Sequence, residues 1–430
     1  MTETDAADLG RMRFLALMVM IPDFWIKRRV ETITYGDNGE TRRAVSIDFQ
    51  LPERYRKTAS QDGPLLVPVA LLEKKPLTRF DMRGADGTAI PVLDTDANSE
   101  LATRCVTDAI SVLLALDESV VEDVKDLIET VVRSPEPVAT PAAEQLTNAL
   151  RERLTGVTPA QELVLQLVSD LAKSFLLVAE CDSRTIRGRS ILKFSYEEPI
   201  EIKRRWLPLT RSVQIARPAV SAGKSYHLEI RAPQGLAVTD LVVTELGEQP
   251  RTWTASHAGP TAHGHLTLRG SGDFEARAAI RPERRGPVTY ALLSSIVVLA
   301  LTIAAVFWPQ QVFQLDREPE TAIGLATVTL AIPAFLLALL ARTPEHVLVS
   351  VVLRPTRAVL LLTSTVLLAI SGIIILRPAE QAAHSCAIAL ACLEAFLTVY
   401  VALIAKKSAA GPSIVKTSPD SKPLERKDGQ

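Results

Sequence analysis

Four long apolar runs in the last third of the chain constrain its fold more than any other feature. They cover residues 288–308, 322–341, 358–376 and 383–405, and the first three contain no Asp, Glu, Lys, Arg or His. An α-helix rises about 1.5 Å per residue, so about 20 residues cross a hydrocarbon core about 30 Å thick. A soluble domain would have to be very large to bury four such runs. The sequence therefore predicts a transmembrane region over residues 286–406, a bundle of four helices in contact with the lipid bilayer.

The basic residues near the ends of these runs alternate in number. Four arginines stand shortly before the first run, three lie in the second loop and six lysines or arginines follow the fourth run, whereas the first and third loops have one each. Cytoplasmic segments of membrane proteins carry the excess of Lys and Arg. We therefore expect a multi-pass protein of the cell inner (plasma) membrane, with the N-terminal region, the second loop and both termini in the cytoplasm.

The residues before the first run change their hydrophobic period twice. Segments 13–93 and 174–285 alternate apolar and polar residues, which is typical of strands with one buried face, whereas segment 94–173 has helical spacing. These periods predict an α+β fold: a cytoplasmic β-sandwich-like domain with a helical insertion, followed by the four-helix transmembrane bundle. Two or three small domains in series are the alternative. Residues 1–12 and 407–430 are predicted to be disordered, the latter as a basic tail.

Local signals add detail to this outline. Phe14–Ile21 is too short to span a membrane and no cleavage site follows it, so we predict a strand there and not a signal sequence. Thr158 and Gln161 match a capping box, which marks a helix start. The four cysteines are expected to be small buried apolar groups in a reducing compartment. The residues expected to interrupt the helical segment are Pro135, Pro137 and Pro141.

The sequence contains no set of residues with the pattern of an enzyme or a cofactor site. The net charge is −1, from 48 basic and 49 acidic residues, so it gives no reason to expect a nucleic-acid partner. Gly223-Lys224-Ser225 resembles the end of a phosphate-binding loop, but Pro218 occupies the position of the first Gly and a strand pattern follows. No catalytic, cofactor-binding or metal-binding residue is predicted, and the chain is not predicted to be an enzyme.

Three histidines, His257, His263 and His265, lie within nine residues of one another. On a strand, His263 and His265 would share one face, an arrangement suited to Zn²⁺. However, no Asp, Glu or Cys with ligand spacing stands close by, and the surrounding Gly, Ala and Thr residues are typical of a loop. We therefore predict exposed loop histidines, with metal binding as the alternative.

Glu394 is the candidate for a functional residue inside the membrane. It lies near the middle of the fourth run, where a charged side chain is costly. Ala387, Ala391 and Ala395 are spaced four residues apart beside it, which allows close helix contact and self-association. Two roles stay open for Glu394: a structural hydrogen bond, or part of a pathway for protons or ions. Its expected hydroxyl partners are Ser364, Thr365 and Thr329.

Two basic groups are candidates for contact with lipid or with a partner. Lys203, Arg204 and Arg205 form the densest basic group of the second β-rich segment, and Arg284 and Arg285 stand directly before the first apolar run. Lipid phosphates or an acidic protein surface are the expected ligands. A solvated strand end is the alternative for the first group.

Three further stretches are similar to those of one group of proteins. They are Val67–Leu72 running on to Phe80-Asp81 and Asp86-Gly87, then Lys193–Pro199, then Arg342–His346. Together they resemble a group of uncharacterised actinobacterial integral membrane proteins with no assigned activity. The resemblance implies a bacterial inner membrane and assigns no site residue.

Two functions from different classes fit these observations. The first is a membrane-anchored interaction or sensory-type module, whose cytoplasmic domain binds a protein or lipid partner. The alternative is a small transporter, or an accessory subunit of a transporter, that uses Glu394 inside the membrane.

Overall fold

The structure is a computed structural model, and it describes residues 3–36, 40–59, 64–154, 156–183, 186, 188–199, 211–215, 224–245, 251–255, 259–267, 274–283, 286–313, 331, 335, 347–376 and 378–409. Several predicted features lie outside these residues. They are the second apolar run apart from positions 331 and 335, the tail beyond 409, His257, Thr329, and the basic residues Lys203, Arg204, Arg205, Arg284 and Arg285.

The described chain has eleven α-helices and twelve strands. The helices are α1 (Glu3–Met20), α2 (Glu53–Ala59), α3 (Thr95–Leu113), α4 (Glu118–Asp123), α5 (Lys125–Arg133), α6 (Glu136–Glu152), α7 (Pro159–Lys173), α8 (Pro287–Phe307), α9 (Pro309–Phe313), α10 (Val347–Leu376) and α11 (Glu380–Ala409). The strands are β1 (Ile26–Tyr35), β2 (Glu40–Gln50), β3 (Leu65–Glu73), β4 (Thr78–Gly84), β5 (Ser174–Cys181), β6 (Arg189–Pro199), β7 (Arg211–Ile215), β8 (Ser225–Arg231), β9 (Leu236–Glu245), β10 (Arg251–Ala255), β11 (Thr261–Thr267) and β12 (Phe274–Pro282). The helices α3 to α7 fall between β4 and β5.

The strands form three sheets. The first sheet has the order β11-β8-β1-β2-β6-β4, the second has the order β10-β9-β12-β7, and β3 pairs with β5 in the third. β1 runs parallel to β8, and the other neighbours in these sheets are antiparallel. The hairpin predicted around residues 30–51 is confirmed, because β1 and β2 pair with Val30 opposite Ser46.

The inner face of the first sheet packs on two different partners. Val45, Ile47 and Phe49 are buried in an apolar cluster that also contains residues of α1 and of α3 to α7. Ile33 and Tyr226 are buried in a second cluster, together with residues of β9 and β12 from the second sheet. The first sheet is therefore covered by helices along one part of its inner face and by the second sheet along another.

The capping box predicted at the start of α7 is present. The Thr158 amide donates to Gln161 Oε1 at 2.8 Å, and the Gln161 amide donates to Thr158 Oγ1 at 3.3 Å. Both groups satisfy amides that have no partner inside the helix. The signal was readable from the sequence because it depends on two residues three positions apart.

The beginning of the chain is helical, so the predicted strand at Phe14–Ile21 is wrong. α1 begins at Glu3 and ends at Met20, and it also includes most of the stretch expected to be disordered. Met12, Leu15 and Ala16 are buried at helical spacing, and Trp25 Nε1 donates to the Met18 carbonyl at 2.8 Å. Leu, Ala, Met and Arg are strong helix formers, and that preference prevails over the short uniform run of apolar residues.

Two of the three prolines expected to interrupt the helical segment lie inside α6. Pro137 stands in the first turn, where its missing N–H would have no partner in the helix. Pro141 lies further along and removes one amide donor, yet the helix continues to Glu152. Ala139, Ala142 and other residues around it are buried, so packing of the apolar face compensates for the lost hydrogen bond.

Three described helices are long and apolar enough to cross a membrane: 21 residues over Pro287–Phe307, 29 over Leu348–Leu376 and 27 over Glu380–Lys406. They contain the first, third and fourth predicted runs, and they follow the sheet-rich part of the chain as expected. One boundary was wrong. α10 already begins at Val347, so residues 347–357, predicted as part of a basic loop, are helical and continuous with the apolar run.

The three long helices have a defined direction relative to the sheets. α8 follows β12 after a short connection, and the first turns of α10 pack on the second sheet through Leu348 and Leu353. At the opposite end, Gln310 of α9 donates to Glu380 at the start of α11, at 3.2 Å. α8 and α10 therefore point away from the sheets and α11 points back.

Candidate functional site

The Glu394 carboxyl lies where α8, α10 and α11 meet. Its side chain is fully buried, with 0% of its surface exposed. Ser295 of α8 and Thr363 of α10 each donate a hydroxyl hydrogen bond to its Oε1, at 2.8 and 2.9 Å, and the two hydroxyl oxygens lie 3.3 Å apart. A single carboxyl oxygen therefore joins three helices.

Two of the expected partners of Glu394, Ser364 and Thr365, were wrong by one or two positions along α10, and the third, Thr329, lies outside the described residues. Ser364 and Thr365 donate their hydroxyls to the carbonyls of Leu360 and Leu361 within their own helix. Successive residues of a helix point about 100° apart, so only one of three neighbouring hydroxyl residues faces α11. Which one does so depends on the rotation of α10, and this rotation is decided by its packing on α8 and α11.

The second oxygen of the carboxyl differs from the first. Glu394 Oε2 is buried and has no hydrogen-bond partner among the described residues. Leaving a buried polar atom unpaired costs about 1–3 kcal/mol. This oxygen is therefore the atom of the site that retains capacity for a proton, an ion or a further donor.

One of the small residues predicted beside Glu394, Ala387, faces the other helices of the same chain. Ala387 is buried together with Ala291 of α8 in the apolar cluster of the membrane helices. Ala391 and Ala395 are partly buried on the same helix. The close contact that small side chains allow is thus used within one chain at Ala387, which removes this residue from a surface for self-association.

The cysteines divide into two classes. Cys105 and Cys181 are buried as predicted, and burial raises the pKa of both thiols, that of Cys181 to about 12. Cys386 and Cys392 are exposed on α11, so the prediction that all four are buried was wrong for these two.

A short junction connects the membrane helices to the soluble domain. Leu348 and Leu353 of α10 are buried against Leu236 of β9 and Ile280 of β12. Each of these four side chains is at most 2% exposed. Because α10 is one continuous helix, the same element carries this junction at its first turns and Thr363 in its middle.

A buried network of charged residues crosses four strands of the first sheet. Glu31 of β1 accepts from Arg43 Nη1 and from the Tyr226 hydroxyl, both at 3.0 Å. Arg43 Nε also donates to Glu198 Oε1 at 2.5 Å, and Arg29 Nη2 lies 3.8 Å from Glu31 Oε2. Glu31 and Arg29 are each 1% exposed. The network contains two arginines and two glutamates, so their formal charges cancel.

Sequence reasoning missed this network. Arg29 and Glu31 stand two residues apart on a strand, and a charged pair of this kind usually indicates a solvent-facing edge. Here both point inward, because Ile33 continues the same face into the cluster with the second sheet. Burial raises the pKa of Tyr226, and Glu31 adds to the effect through its charge and hydrogen bond. Burial also raises the pKa of Glu198, against the opposing influence of Arg43.

Two histidines lie side by side on the outer face of the first sheet. His227 of β8 is directly opposite His265 of β11, and their ring centroids are 4.3 Å apart. Ser225 Oγ lies 3.1 Å from His227 Nε2 and 3.3 Å from His265 Nε2. Partial burial lowers the pKa of His227, and the neighbouring His265 and Arg28 lower it further. His263 and His265 thus stand on a strand and not in the predicted loop, and the predicted histidine cluster did not include His227.

Within the part of the chain that the structure describes, no three side chains among His, Cys, Asp and Glu are positioned together to hold a metal ion. The basic residues expected to contact lipid or a partner lie outside that part. The described candidates are therefore the Glu394 carboxyl, the α10 junction, the buried charge network and the histidine pair.

Comparison with known proteins gives no family for this chain. No protein-family model matches it. A search of curated proteins finds no match either.

Proposed function

We propose that this protein is a membrane-anchored sensory or interaction module, in which α10 couples a polar site inside the membrane to the soluble domain. The observation that carries this proposal is the double role of α10. Its first turns are buried against the second sheet, and Thr363, in its middle, bonds to Glu394. A helix of 30 residues is about 45 Å long, which is enough to reach from the domain well into the membrane.

The coupling between the Glu394 site and the soluble domain depends on two contacts of α10, at its first turns and at Thr363. Interfaces between packed elements switch between discrete arrangements, and do not deform continuously. If the hydrogen bond between Thr363 and Glu394 is broken, α10 loses a contact that holds its rotation and depth. Leu348 and Leu353 move with the helix, and they can shift only by repacking against Leu236 and Ile280.

The arrangement in the membrane is part of the proposal. Four helices cross the inner membrane, with the soluble domain and both termini in the cytoplasm. The shared direction of α8 and α10 supports an additional crossing between them, and the predicted run 322–341 has the length for it. The alternating excess of Lys and Arg supports the orientation. We propose, together with this location, the resemblance to actinobacterial inner-membrane proteins that the sequence indicates.

We also propose a β-sandwich-like arrangement of the soluble domain, a lipid or protein partner, and self-association. The apolar cluster shared by the first and second sheets supports a β-sandwich-like arrangement. Lys203, Arg204, Arg205, Arg284 and Arg285 supply positive charge for lipid head groups or for an acidic protein partner. Self-association would use Ala391 and Ala395, because Ala387 is buried within the chain.

A second candidate function is a small transporter or an accessory subunit of one. The observation that favours it is Glu394 Oε2, which lacks a partner among the described residues, beside two hydroxyl groups. Three oxygen-bearing side chains from three helices can hold a proton or a small hard cation. For this function, Glu394→Gln abolishes solute or proton flux in proteoliposomes while the protein stays folded. Coupling without transport predicts no flux in the wild type.

Hydrogen–deuterium exchange on the full-length protein in lipid nanodiscs tests the coupling. Thr363→Val removes the hydroxyl that reaches Glu394 and keeps the shape of the side chain. We expect exchange to change by more than about threefold in the first turn of α10, about four helical turns from the substitution, and in β12 of the soluble domain. Thr365→Val is the matched control, because the Thr365 hydroxyl bonds within its own helix and is exposed. Equal exchange in the wild type and Thr363→Val would refute the coupling.

A further inference from the structure

Two neighbouring strands place three of the chain's six histidines on one exposed face of the first sheet. β11 carries His263 and His265, and β8 carries His227. The antiparallel register sets His265 opposite His227 and His263 opposite Glu229. Directly opposed residues on such strands have Cβ atoms about 4.5–5.5 Å apart, so their side chains meet.

The residue between the two histidines of β11 explains why both point outward. A Cβ added at Gly264 would lie 3.1 Å from Leu241 Cδ2 of β9. The inner side of β11 therefore approaches the second sheet closely at this position. Since successive side chains of a strand point to opposite faces, Gly264 inside directs His263 and His265 to the outside.

The His227 and His265 rings converge on one small volume. Both Nε2 atoms lie within 3.3 Å of the same atom, Ser225 Oγ. The Ser225 hydroxyl can donate to one Nε2 and accept from the other when that nitrogen carries its proton; when both Nε2 atoms carry lone pairs, the two rings face the same point as acceptors. Two imidazole nitrogens facing one point, with an oxygen beside them, are the beginning of a coordination sphere.

We propose that His227 and His265 bind a divalent transition metal ion of the zinc class through their Nε2 atoms. Imidazole nitrogen binds such an ion at about 2.0–2.1 Å, and the ion would take the place near Ser225 Oγ where both rings point. Water or the Ser225 hydroxyl completes the coordination. The pair is not expected to bind Mg²⁺ or Ca²⁺, because these ions require mostly oxygen ligands.

His263 and Glu229 are not part of this site. Glu229 Oε1 accepts from Arg231 Nε at 2.5 Å, which holds the carboxylate toward the far end of β8. His263 stands opposite Glu229, one outward position away from the converging pair. The proposed site therefore has two protein ligands and stays open to water on its outer side.

The metal would join an edge strand to its neighbour. β11 lies at the end of the first sheet, and among the described strands of that sheet its one neighbour is β8. A ligand that binds the folded state and not the unfolded one raises its stability in proportion to the logarithm of the ligand concentration. Zinc is accordingly expected to stabilise the soluble domain at its β11 edge.

Zinc binding to untagged, full-length protein in detergent tests the proposal. Calorimetric titration with ZnCl₂ should show one ion per chain, and MgCl₂ should show no binding. His265→Gln should weaken zinc binding by at least about tenfold, and His227→Gln should do the same. His265 is exposed, so His265→Gln keeps the test valid even where His227→Gln disturbs the fold.

The matched control is His263→Gln, a histidine on the same strand and the same face. It should leave the affinity within about threefold of the wild type, because it removes no ligand. An equal loss in all three variants would show general histidine chelation and contradict the two-ligand site. Unchanged affinity in His265→Gln, or no zinc binding by the wild type, would also overturn the proposal.

Discussion

Thr363 donates a hydrogen bond to Glu394 across the interface of α10 and α11, with 2.9 Å between the two oxygens. Ser295 donates to the same carboxyl oxygen from α8, so three helices share one acceptor. Hydrogen bonds between helices of a membrane bundle contribute about 0.6–2 kcal/mol each, and this carboxyl oxygen accepts two of them.

Removing the carboxyl should destabilise the helix bundle. Glu394→Ala leaves the Ser295 and Thr363 hydroxyls without their shared acceptor and is expected to cost about 1–3 kcal/mol. Glu394→Gln keeps an acceptor oxygen and should cost less. Thermal unfolding of the purified protein in detergent measures both. Glu380→Ala is the control, because Glu380 is exposed at the start of the same helix and its loss should have little effect. Equal melting temperatures for wild type and Glu394→Ala would contradict the shared-acceptor role.

Breaking the buried charge network should destabilise the soluble domain much more than breaking a surface pair. Glu31→Gln leaves Arg43 and Arg29 with an uncompensated buried charge, which is expected to cost about 3–5 kcal/mol. Glu53→Gln, at the exposed pair of Glu53 and Lys57, should cost less than about 0.5 kcal/mol. Chemical denaturation followed by tryptophan fluorescence compares the two, since Trp25 is buried in this domain. Similar costs for the two variants would show that Glu31 is solvated.

The capping box of α7 gives a smaller and more local prediction. Thr158→Ala removes the side-chain acceptor for the Gln161 amide and should lower the free energy of unfolding by about 1 kcal/mol. Ser99→Ala provides the comparison, because the Ser99 hydroxyl only bonds back to a carbonyl of its own helix and is exposed. The same denaturation assay measures both, and a Thr158→Ala cost no larger than that of Ser99→Ala would argue against the cap.

The lowered pKa of His227 makes the soluble domain less stable in mild acid. In the unfolded chain a histidine titrates near about 6.5, whereas in the folded chain His227 takes up its proton only at lower pH. Below that unfolded value the unfolded state binds more protons, so stability falls as the pH decreases toward the folded pKa. His227→Gln should remove this part of the pH dependence, and His263→Gln should not. Melting curves from pH 7 to about pH 5 with a chelator present measure it; identical slopes for wild type and His227→Gln would contradict it.

The parts of this fold that could be predicted are those in which apolar residues repeat with a regular spacing along a single helix or strand. The three described apolar helices and the β1–β2 hairpin belong to this class, since a run of about 20 apolar residues or a clear alternation has few other solutions. The capping box was equally visible because its partners are three residues apart. None of these features depends on which distant element is packed against them.

The parts that were missed depend on long-range packing. The partners of Glu394 are Ser295 and Thr363 because of how three helices are rotated, and no spacing within one helix contains that information. The inward direction of Arg29 and Glu31 was not predicted, because the partners of Glu31, Arg43 and Tyr226, come from other strands. His227 and His265 lie 38 positions apart in the chain and meet only through the pairing of β8 with β11.

Coupling through α10 requires that the long helices cross the membrane, and the proposed arrangement places the soluble domain on the cytoplasmic side. The native cysteines are poor reporters of this, because Cys105 and Cys181 are buried and Cys386 and Cys392 lie within the apolar run. A protein with all four replaced by alanine, and one cysteine added back at an exposed position, gives a clean readout.

Labelling of intact cells with a membrane-impermeant maleimide tests the arrangement most directly. Gln311→Cys, on α9 at the far end of the helices, should be labelled in intact cells. Glu129→Cys, on α5 of the soluble domain, should be labelled only after the membrane is permeabilised. Labelling of Glu129→Cys in intact cells, or recovery of the full-length protein in the soluble fraction, would contradict the arrangement.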